Sequence, residues 1–112
     1  MPQITLRIHN QPSLIVAVAD DHIFGEFAVH SSLGGEGLFI VTHIPSGMMV
    51  PAGFGWNGEV LELGDEDEAL KFAQRLAQDM TPEDIVQTNG EWHATKSGRT
   101  KRRRIESDLW PD

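Results

Sequence analysis

The feature that most constrains the fold is a capped amphipathic helix pattern that begins near residue 65. Asp65 stands where an N-cap belongs, and Glu68 follows three residues later, which is the spacing of a capping box. The residues after this cap repeat apolar side chains at the 3.6-residue spacing of one helix face. They are Ala69, Leu70, Phe72, Ala73, Leu76, Ala77 and Met80. The pattern predicts one principal helix over 66–80, which ends before Pro82 because proline cannot continue the hydrogen-bond ladder.

Ahead of this helix, the hydrophobic pattern is that of strands. Residues 4–9 alternate strictly between apolar and polar, so Ile4, Leu6 and Ile8 are expected to share the buried face of one strand. Residues 14–19 form a short apolar run rich in valine and isoleucine. Such a run is typical of a strand that is buried on both faces.

Residues 23–50 continue the strand pattern. Residues 23–30 are predicted as a third strand, although Gly25 interrupts it. Residues 38–44 are rich in branched and aromatic side chains and give the strongest central-strand pattern of the chain. A turn with proline and glycine at 45–47 leads into a short returning strand at 48–50, so 38–50 reads as a hairpin.

Segments on either side of the helix complete the predicted sheet. Residues 60–63 are predicted as a short strand or an extended segment. After the helix, Thr81 and Pro82 can cap and begin a short helix, while Asn89–Gly90 has the sequence of a type I′ turn between strands at 85–88 and 91–94. Both interpretations hold if the helical turn is brief. The predicted fold is α+β, an antiparallel sheet of about four to six strands in hairpins with one main helix packed on it.

Charge divides the chain into two parts. Residues 1–95 contain three basic and fourteen acidic residues, a net charge of −11, whereas residues 96–112 carry +3. Residues 95–104 contain no hydrophobic side chain, so this stretch is expected to be mobile. We therefore predict a single domain over 1–95 and a basic, flexible tail over 96–112, which is either disordered or docked on the acidic surface of the protein.

Several classes of protein are excluded on composition. No run of 18 apolar residues exists, so no membrane-spanning helix is predicted. The first residues lack the layout of a secretory leader. The absence of cysteine removes disulfides, thiol nucleophiles and thiolate metal sites, and it fits a reducing compartment, so a cytoplasmic location is expected.

The histidines do not form a recognisable metal-binding motif. No two of them stand at the i, i+2 or i, i+4 spacing that brings two imidazoles to one ion from one element. We expect the strand histidines to be outward-facing polar residues, and no cofactor is predicted. A metal site would require His9, His30 and His43 to converge across neighbouring strands, near the carboxylates of Asp20 and Asp21. A small metal-dependent enzyme that uses histidine and carboxylates stays open as an alternative.

Other catalytic and phosphate-binding patterns are absent or misplaced. No serine stands in a G-x-S-x-G elbow, and no other nucleophile has a diagnostic neighbour, so no catalytic residue is predicted. Gly53, Gly55 and Gly58 have the spacing of a dinucleotide fingerprint. The segment after them is extended rather than helical, and no buried parallel strand precedes it, so we reject a nucleotide site there.

Two kinds of residue are candidates for contact with a partner. Phe54 and Trp56 lie in a glycine-rich loop, where exposed aromatics can anchor an interface or stack on unpaired bases. Charged residues are the second kind, because carboxylates suit a basic surface and a polybasic run suits an anionic one. The predicted charged contacts are Glu59, Glu62, Asp65, Glu66, Asp67, Lys101, Arg102, Arg103 and Arg104.

The hypothesis that these features favour is a non-catalytic interaction protein. In one version it is an inhibitor of the phage or mobile-element type, whose carboxylates occupy a nucleic-acid-binding site on a basic protein partner. The alternative is a single-stranded nucleic-acid-binding protein that uses sheet and loop aromatics, Trp92 among them, together with the basic tail. No membrane partner is expected, and a homodimer is the default oligomer.

Overall fold

The computed structural model describes residues 2–6, 12–32, 37–50, 60–88, 91–94 and 96–110 and has the α+β fold that the sequence predicts. The predicted positions that involve residues 7–11, 33–36, 51–59, 89–90 and 95 lie outside this part of the chain. The strands are β1 (Gln3–Leu6), β2 (Leu14–Ala17), β3 (Ile23–Phe24), β4 (Phe27–Ser31), β5 (Phe39–His43), β6 (Met48–Met49), β7 (Ile85–Thr88) and β8 (Glu91–Ala94). The helices are α1 (Glu66–Asp79) and α2 (Lys96–Leu109).

The first hairpin confirms one prediction and corrects another. In β1, Ile4 and Leu6 are buried while Gln3 and Thr5 are exposed, as the alternation predicts. β2 pairs antiparallel with β1, but it is not buried on both faces, because Ile15 is 62% exposed. The prediction for 14–19 is wrong because β2 has only β1 beside it in the described residues and no layer covers its outer face.

The predicted single strand over 23–30 is two strands joined by a tight turn. β3 and β4 pair antiparallel, with Phe24 opposite Phe27. Gly25 takes φ +56° in the turn between them, a left-handed conformation that glycine adopts without the steric cost of a Cβ. The glycine that interrupts the pattern therefore reverses the chain.

β5 is the central strand, as predicted. It pairs antiparallel with β4 along its whole length and with β6 at its end, in the sheet order β3-β4-β5-β6. Gly47, at φ +71°, closes the turn before β6. The predicted extended segment at 60–63 is confirmed, because Leu63 exchanges two backbone hydrogen bonds with Phe39 of β5.

Both faces of this sheet are covered, which explains why consecutive residues of β4 and β5 are buried. Phe27, Val29 and Val41 face one way and pack in one apolar cluster with α1 and with Ile105 of α2. Ala28 faces the other way and packs with Ile4 and Leu6 of the first hairpin. The molecule is therefore layered, with helices on one face of the central sheet and the β1–β2 hairpin on the other.

The principal helix forms where its cap and its apolar stripe predict it. The Asp65 carboxylate accepts hydrogen bonds from the backbone N–H groups of Asp67 and Glu68. These bonds satisfy N–H groups that have no partner inside the helix. Ala69, Phe72, Ala73 and Leu76 of the predicted stripe are buried against the sheet.

The C-terminal segment corrects the prediction of a mobile stretch over 95–104. Residues 96–109 form α2, and its Gly98, Arg102 and Ile105 are buried. The hydrophobic pattern did not predict this helix, because the face of α2 that packs on α1 includes a glycine and an arginine. Of the two fates predicted for the tail, docking on the protein is therefore the one observed, whereas the division into a domain over 1–95 and a separate segment stays a prediction. The short helical turn at Pro82–Asp84 and the paired strands β7 and β8 confirm the brief helix and the two strands, whereas the predicted type I′ turn at Asn89–Gly90 lies outside the described residues.

Candidate functional site

A concentration of exposed acidic residues lies at the N-terminal end of α1. Two stretches of chain contribute to it, the single helical turn at Asp20–His22 and the segment from Glu62 to Glu68. We call this surface the acidic end. Its members are the exposed carboxylates of Asp20, Asp21, Glu62, Asp65, Glu66, Asp67 and Glu68.

His22 joins the two stretches of the acidic end. Its Nδ1 lies 2.8 Å from Oδ1 of Asp21, and its Nε2 lies 3.3 Å from Oε1 of Glu66. The hydrogen bond to Asp21, with a smaller contribution from Glu66, raises the pKa of His22 against the opposing effect of its burial. The sequence alone does not reveal this link, because Asp21 and Glu66 are far apart in the chain.

The carboxylates predicted as contacts differ in how much of their hydrogen-bonding capacity is already used. Asp65 caps the helix, and Oε2 of Glu62 accepts a hydrogen bond from the Ser32 hydroxyl at 2.6 Å. Glu66 has its contact with His22, and Asp67 is exposed. Glu62, Asp65, Glu66 and Asp67 are therefore all exposed at or just before the start of α1, whereas the predicted contacts Phe54, Trp56 and Glu59 lie outside the described residues.

No lysine or arginine forms an ion pair with the acidic end within the part of the chain that the structure describes, and Lys71 lies one turn along α1 from Asp67 and Glu68. The ion pairs of Arg75 join Asp79 and Asp108, and those of Lys101 and Arg102 join other carboxylates. The acidic end therefore keeps a net negative charge in the folded protein, and His22 contacts two of its carboxylates.

The basic residues predicted as one patch are divided between the interior and the surface. Arg102 is only 2% exposed, so its prediction as a partner contact is wrong. Its guanidinium lies 5.8 Å from the centroid of the Phe72 ring, and its Nε donates to Oε1 of Glu106 at 3.2 Å. Burial lowers the pKa of Arg102, and Glu106 opposes that effect. Arg103 and Arg104 are exposed.

Lys101 also turns toward the protein, where Asp84 binds it. Asp84 is 3% exposed, and its Oδ2 accepts hydrogen bonds from Lys101 Nζ at 2.7 Å and from the backbone N–H of Thr81 at 2.8 Å. Burial acts to raise the pKa of Asp84, but the hydrogen bonds from Lys101, Thr81 and Ser97 outweigh it and lower the pKa to about 2. Lys101 therefore attaches α2 to the helical turn at Pro82–Asp84.

The strand histidines are buried rather than outward-facing, so that prediction is wrong for His30 and His43. They lie on opposite faces of the sheet, because His30 is paired with Ile40 while His43 is paired with Phe27. His30 Nδ1 donates to the Ser31 carbonyl at 3.0 Å, which leaves Nε2 to accept from the Thr42 hydroxyl at 2.6 Å. Burial lowers the pKa of His30, so the neutral ring that these bonds require is favoured.

His43 has a similar neutral arrangement beside a small cleft. Its Nε2 donates to Oε2 of Glu26 at 3.2 Å, and its Nδ1 accepts from the Ser46 hydroxyl at 2.8 Å. Burial lowers the pKa of His43, and Glu26 partly opposes it. Glu26 and His43 line a cleft of about 210 Å³ together with Gly25, Phe27, Ala77, Met80 and Thr81.

This serine, histidine and glutamate set is better explained by the turn than by nucleophilic catalysis. Ser46 is 4% exposed and does not line the cleft. Its Oγ also accepts the backbone N–H of Met48 at 3.1 Å, which closes the turn into β6. The convergence of His9, His30 and His43 on one ion is ruled out by the opposite faces of His30 and His43, and His9 lies outside the described residues. Among those residues, no three histidine, aspartate or glutamate side chains form a group that could hold a metal ion.

One cleft was not predicted from the sequence. Arg103, Glu106, Ser107 and Trp110 line a cleft of about 430 Å³ at the C-terminal end of α2. The Trp110 ring packs against Phe72, with 5.4 Å between the ring centroids. The spacing of Arg103, Glu106 and Trp110, at i, i+3 and i+7, could have indicated this site had the segment been predicted as a helix.

Comparison with known proteins finds no matching family model, no matching curated protein and no matching solved structure. Among the described residues, no helix has the length and apolar character needed to cross a membrane.

Proposed function

We propose that this is a non-catalytic interaction protein whose acidic end occupies a basic, nucleic-acid-binding surface on a partner protein. The observation that carries the proposal is the contact of His22 with both Asp21 and Glu66. This contact supports the view that seven carboxylates from two separate stretches of chain act as one surface.

Electrostatics explains why such a surface suits a basic partner. Carboxylates that form no ion pair with a lysine or arginine produce a negative potential that attracts a positive surface from about a Debye length, roughly 8 Å at physiological ionic strength. Several carboxylates held on one helix end can take the place of phosphates in a basic groove. Because such pairs lie partly in solvent, they raise the association rate and the specificity more than they raise the affinity.

The test is capture of proteins from cells that naturally produce this chain, with E62Q/E66Q/D67N as the variant. The matched control is E36Q/E83Q/D112N, which removes three carboxylates that are not members of the acidic end and changes the net charge equally. Circular dichroism on both triples verifies folding, since neutral residues at the helix start cost a few tenths of a kcal/mol to about 1 kcal/mol each.

We expect the unchanged protein and the control to capture the same basic protein, and E62Q/E66Q/D67N to lose it. Added single-stranded DNA or RNA should release the captured protein, because both ligands compete for one basic site. Capture that survives in E62Q/E66Q/D67N, or that nucleic acid does not displace, contradicts the proposal.

The proposal includes a cytoplasmic location and leaves room for a homodimer. The absence of cysteine supports a reducing compartment. For the homodimer, the support is the exposed strand β2, where Leu14 and Ile15 are accessible and residues 12–19 carry no charge. An uncharged edge strand is suited to antiparallel pairing with a second copy. Light scattering over a concentration range measures this directly, and a monomer at all concentrations rejects it.

A further inference from the structure

We propose that the outer face of α2, together with the cleft beside Trp110, binds single-stranded nucleic acid. This inference does not depend on the function proposed for the acidic end. The outer face consists of the exposed residues Lys96, Arg99, Arg103 and Arg104, and the cleft is the one lined by Arg103, Glu106, Ser107 and Trp110.

The position of these cations follows from what the other side of α2 buries. Gly98, Arg102 and Ile105 lie at i, i+4 and i+7, so they form one stripe against the protein. Lys96, Arg99 and Arg103 have a similar spacing on the opposite side of the helix. From Lys96 to Arg104 the helix axis rises about 12 Å, which allows contact with several consecutive phosphates.

The helix that displays these charges is held at several points. Lys101 and Ser97 bind the buried Asp84, and Arg75 of α1 binds Asp108 at 3.0 Å. Ile105 is fully buried. A cationic face on a fixed helix loses less conformational entropy on binding than a flexible basic tail would.

The order of charges along α2 is unfavourable for the helix itself. Its first turn contains Lys96 and Arg99 and no acidic residue, while Glu106 and Asp108 lie near its C-terminal end. The helix dipole favours the reverse order. Helix stability therefore does not account for the arrangement, whereas contact with an anionic ligand does.

Trp110 provides a surface for an unpaired base. Its contact with Phe72 fixes the indole, and its other neighbours in the cleft are the polar side chains of Arg103, Glu106 and Ser107. A base that stacks on an aromatic ring contributes roughly 1–3 kcal/mol, and the polar groups can reach its edge. Stacking requires an unpaired base, which favours single strands over duplex.

A membrane surface fits these observations less well. An amphipathic helix binds a bilayer by inserting its apolar face, but Ile105 and Leu109 of α2 pack in the protein core. The acidic end does not prevent an anionic ligand from binding near the C-terminal end of α2. Arg75, which contacts Asp108 of α2, is about 13 Å along the helix axis from Glu66, and this distance exceeds the Debye length of roughly 8 Å.

Fluorescence anisotropy of labelled fifteen-nucleotide dT and rU oligonucleotides, at 50 and 200 mM salt, tests the proposal. The main variant is K96Q/R99Q, since neither residue forms an ion pair within the described residues. The matched control is R7Q/K71Q, which removes two positive charges outside α2. W110L removes the stacking ring, and W110F retains one.

We expect the unchanged protein to bind and K96Q/R99Q to bind at least tenfold more weakly. Loss of two phosphate contacts should make the negative slope of log affinity against log salt shallower by about 1.4. We expect W110L to bind about tenfold more weakly with an unchanged salt slope. W110F and the control R7Q/K71Q should each bind within about threefold of the unchanged protein.

Three results would overturn the proposal. They are an absence of binding at 50 mM salt, equal binding by K96Q/R99Q and the unchanged protein, and binding to phosphatidylserine vesicles without binding to oligonucleotides. If W110L fails to fold because Phe72 loses its neighbour, the exposed pair K96Q/R99Q still decides the matter.

Discussion

Nζ of Lys101 lies 2.7 Å from Oδ2 of Asp84, and this contact fastens α2 to the turn that follows α1. The same carboxylate oxygen accepts the backbone N–H and the hydroxyl of Thr81. One buried side chain therefore organises two neighbouring segments.

Asp84→Asn should lower the free energy of unfolding by about 1–3 kcal/mol, because buried hydrogen bonds to a charged acceptor are lost or weakened. Urea unfolding measures this, and hydrogen exchange should show faster exchange in residues 96–104. The exposed neighbour provides the control, since Glu83→Gln should stay within about 0.5 kcal/mol. The pKa of Asp84 is lowered from 3.8 to about 2, so its contribution is present above pH 3.8 and is lost as the pH falls through 2. Equal stability of Asp84→Asn and the unchanged protein would refute this role.

The buried Arg102 leads to a second prediction. Glu106→Gln should lower the free energy of unfolding by about 1–3 kcal/mol. The reason is that the Arg102 guanidinium, which is 2% exposed, then loses the negative charge that offsets the cost of burying it. Arg102→Met should cost less, since it removes the charge and fills most of the same space over Phe72. The exposed Arg104→Met serves as the control and should change the free energy by less than about 0.5 kcal/mol. The reverse order of the first two variants in urea unfolding would contradict this interpretation.

The buried histidines predict a loss of stability in mild acid. Burial lowers the pKa of both His30 and His43 below 6.5, so the unfolded chain takes up protons first as the pH falls. Their contribution is complete above pH 6.5 and declines below it. Urea unfolding from pH 8 to pH 5 should show this decline, and His30→Gln and His43→Gln should each flatten it.

His22 should have the opposite effect on the same curve. Its pKa is raised above 6.5, chiefly by Asp21, so its contribution is complete below pH 6.5 and is lost as the pH rises through the folded value. His22→Gln should therefore make the loss of stability in acid steeper. A flatter curve for this variant would mean that the acidic end does not hold the charged form of the ring.

The first hairpin predicts a sharp contrast between two isoleucines. Ile4 is 5% exposed and Ile15 is 62% exposed, although each lies in a strand of the same pair. Ile4→Ala should lower the free energy of unfolding by about 2–5 kcal/mol, whereas Ile15→Ala should lower it by less than about 0.5 kcal/mol. Thermal or urea unfolding of the two variants measures the difference, and equal costs would mean that β2 has a covering layer.

Local patterns in the sequence predicted much of this fold. The cap at Asp65 and the apolar stripe of α1 act within a few residues, so they could be identified without tertiary information. The alternation that buries Ile4 and Leu6 and the central position of β5 were predictable for the same reason.

The errors arise where the neighbours of a segment decide its environment. The burial of β2 depends on whether another layer covers it, and the run LIVA carries no information about that layer. The burial of Arg102 depends on the Phe72 ring, thirty residues away in the chain. The acidic end was predicted only in part, because the contact of Asp21 and Glu66 through His22 is tertiary.

The docking of α2 has a consequence for work with shortened forms of the protein. Ile105 and Trp110 cover the Phe72 side of α1, and Arg102 lies over the same ring. Trimming the chain after residue 94, by design or by a protease, would leave this apolar surface in contact with water. Such a fragment would tend to aggregate, so its failure to bind a partner would reflect damage to the fold and not the loss of positive charge.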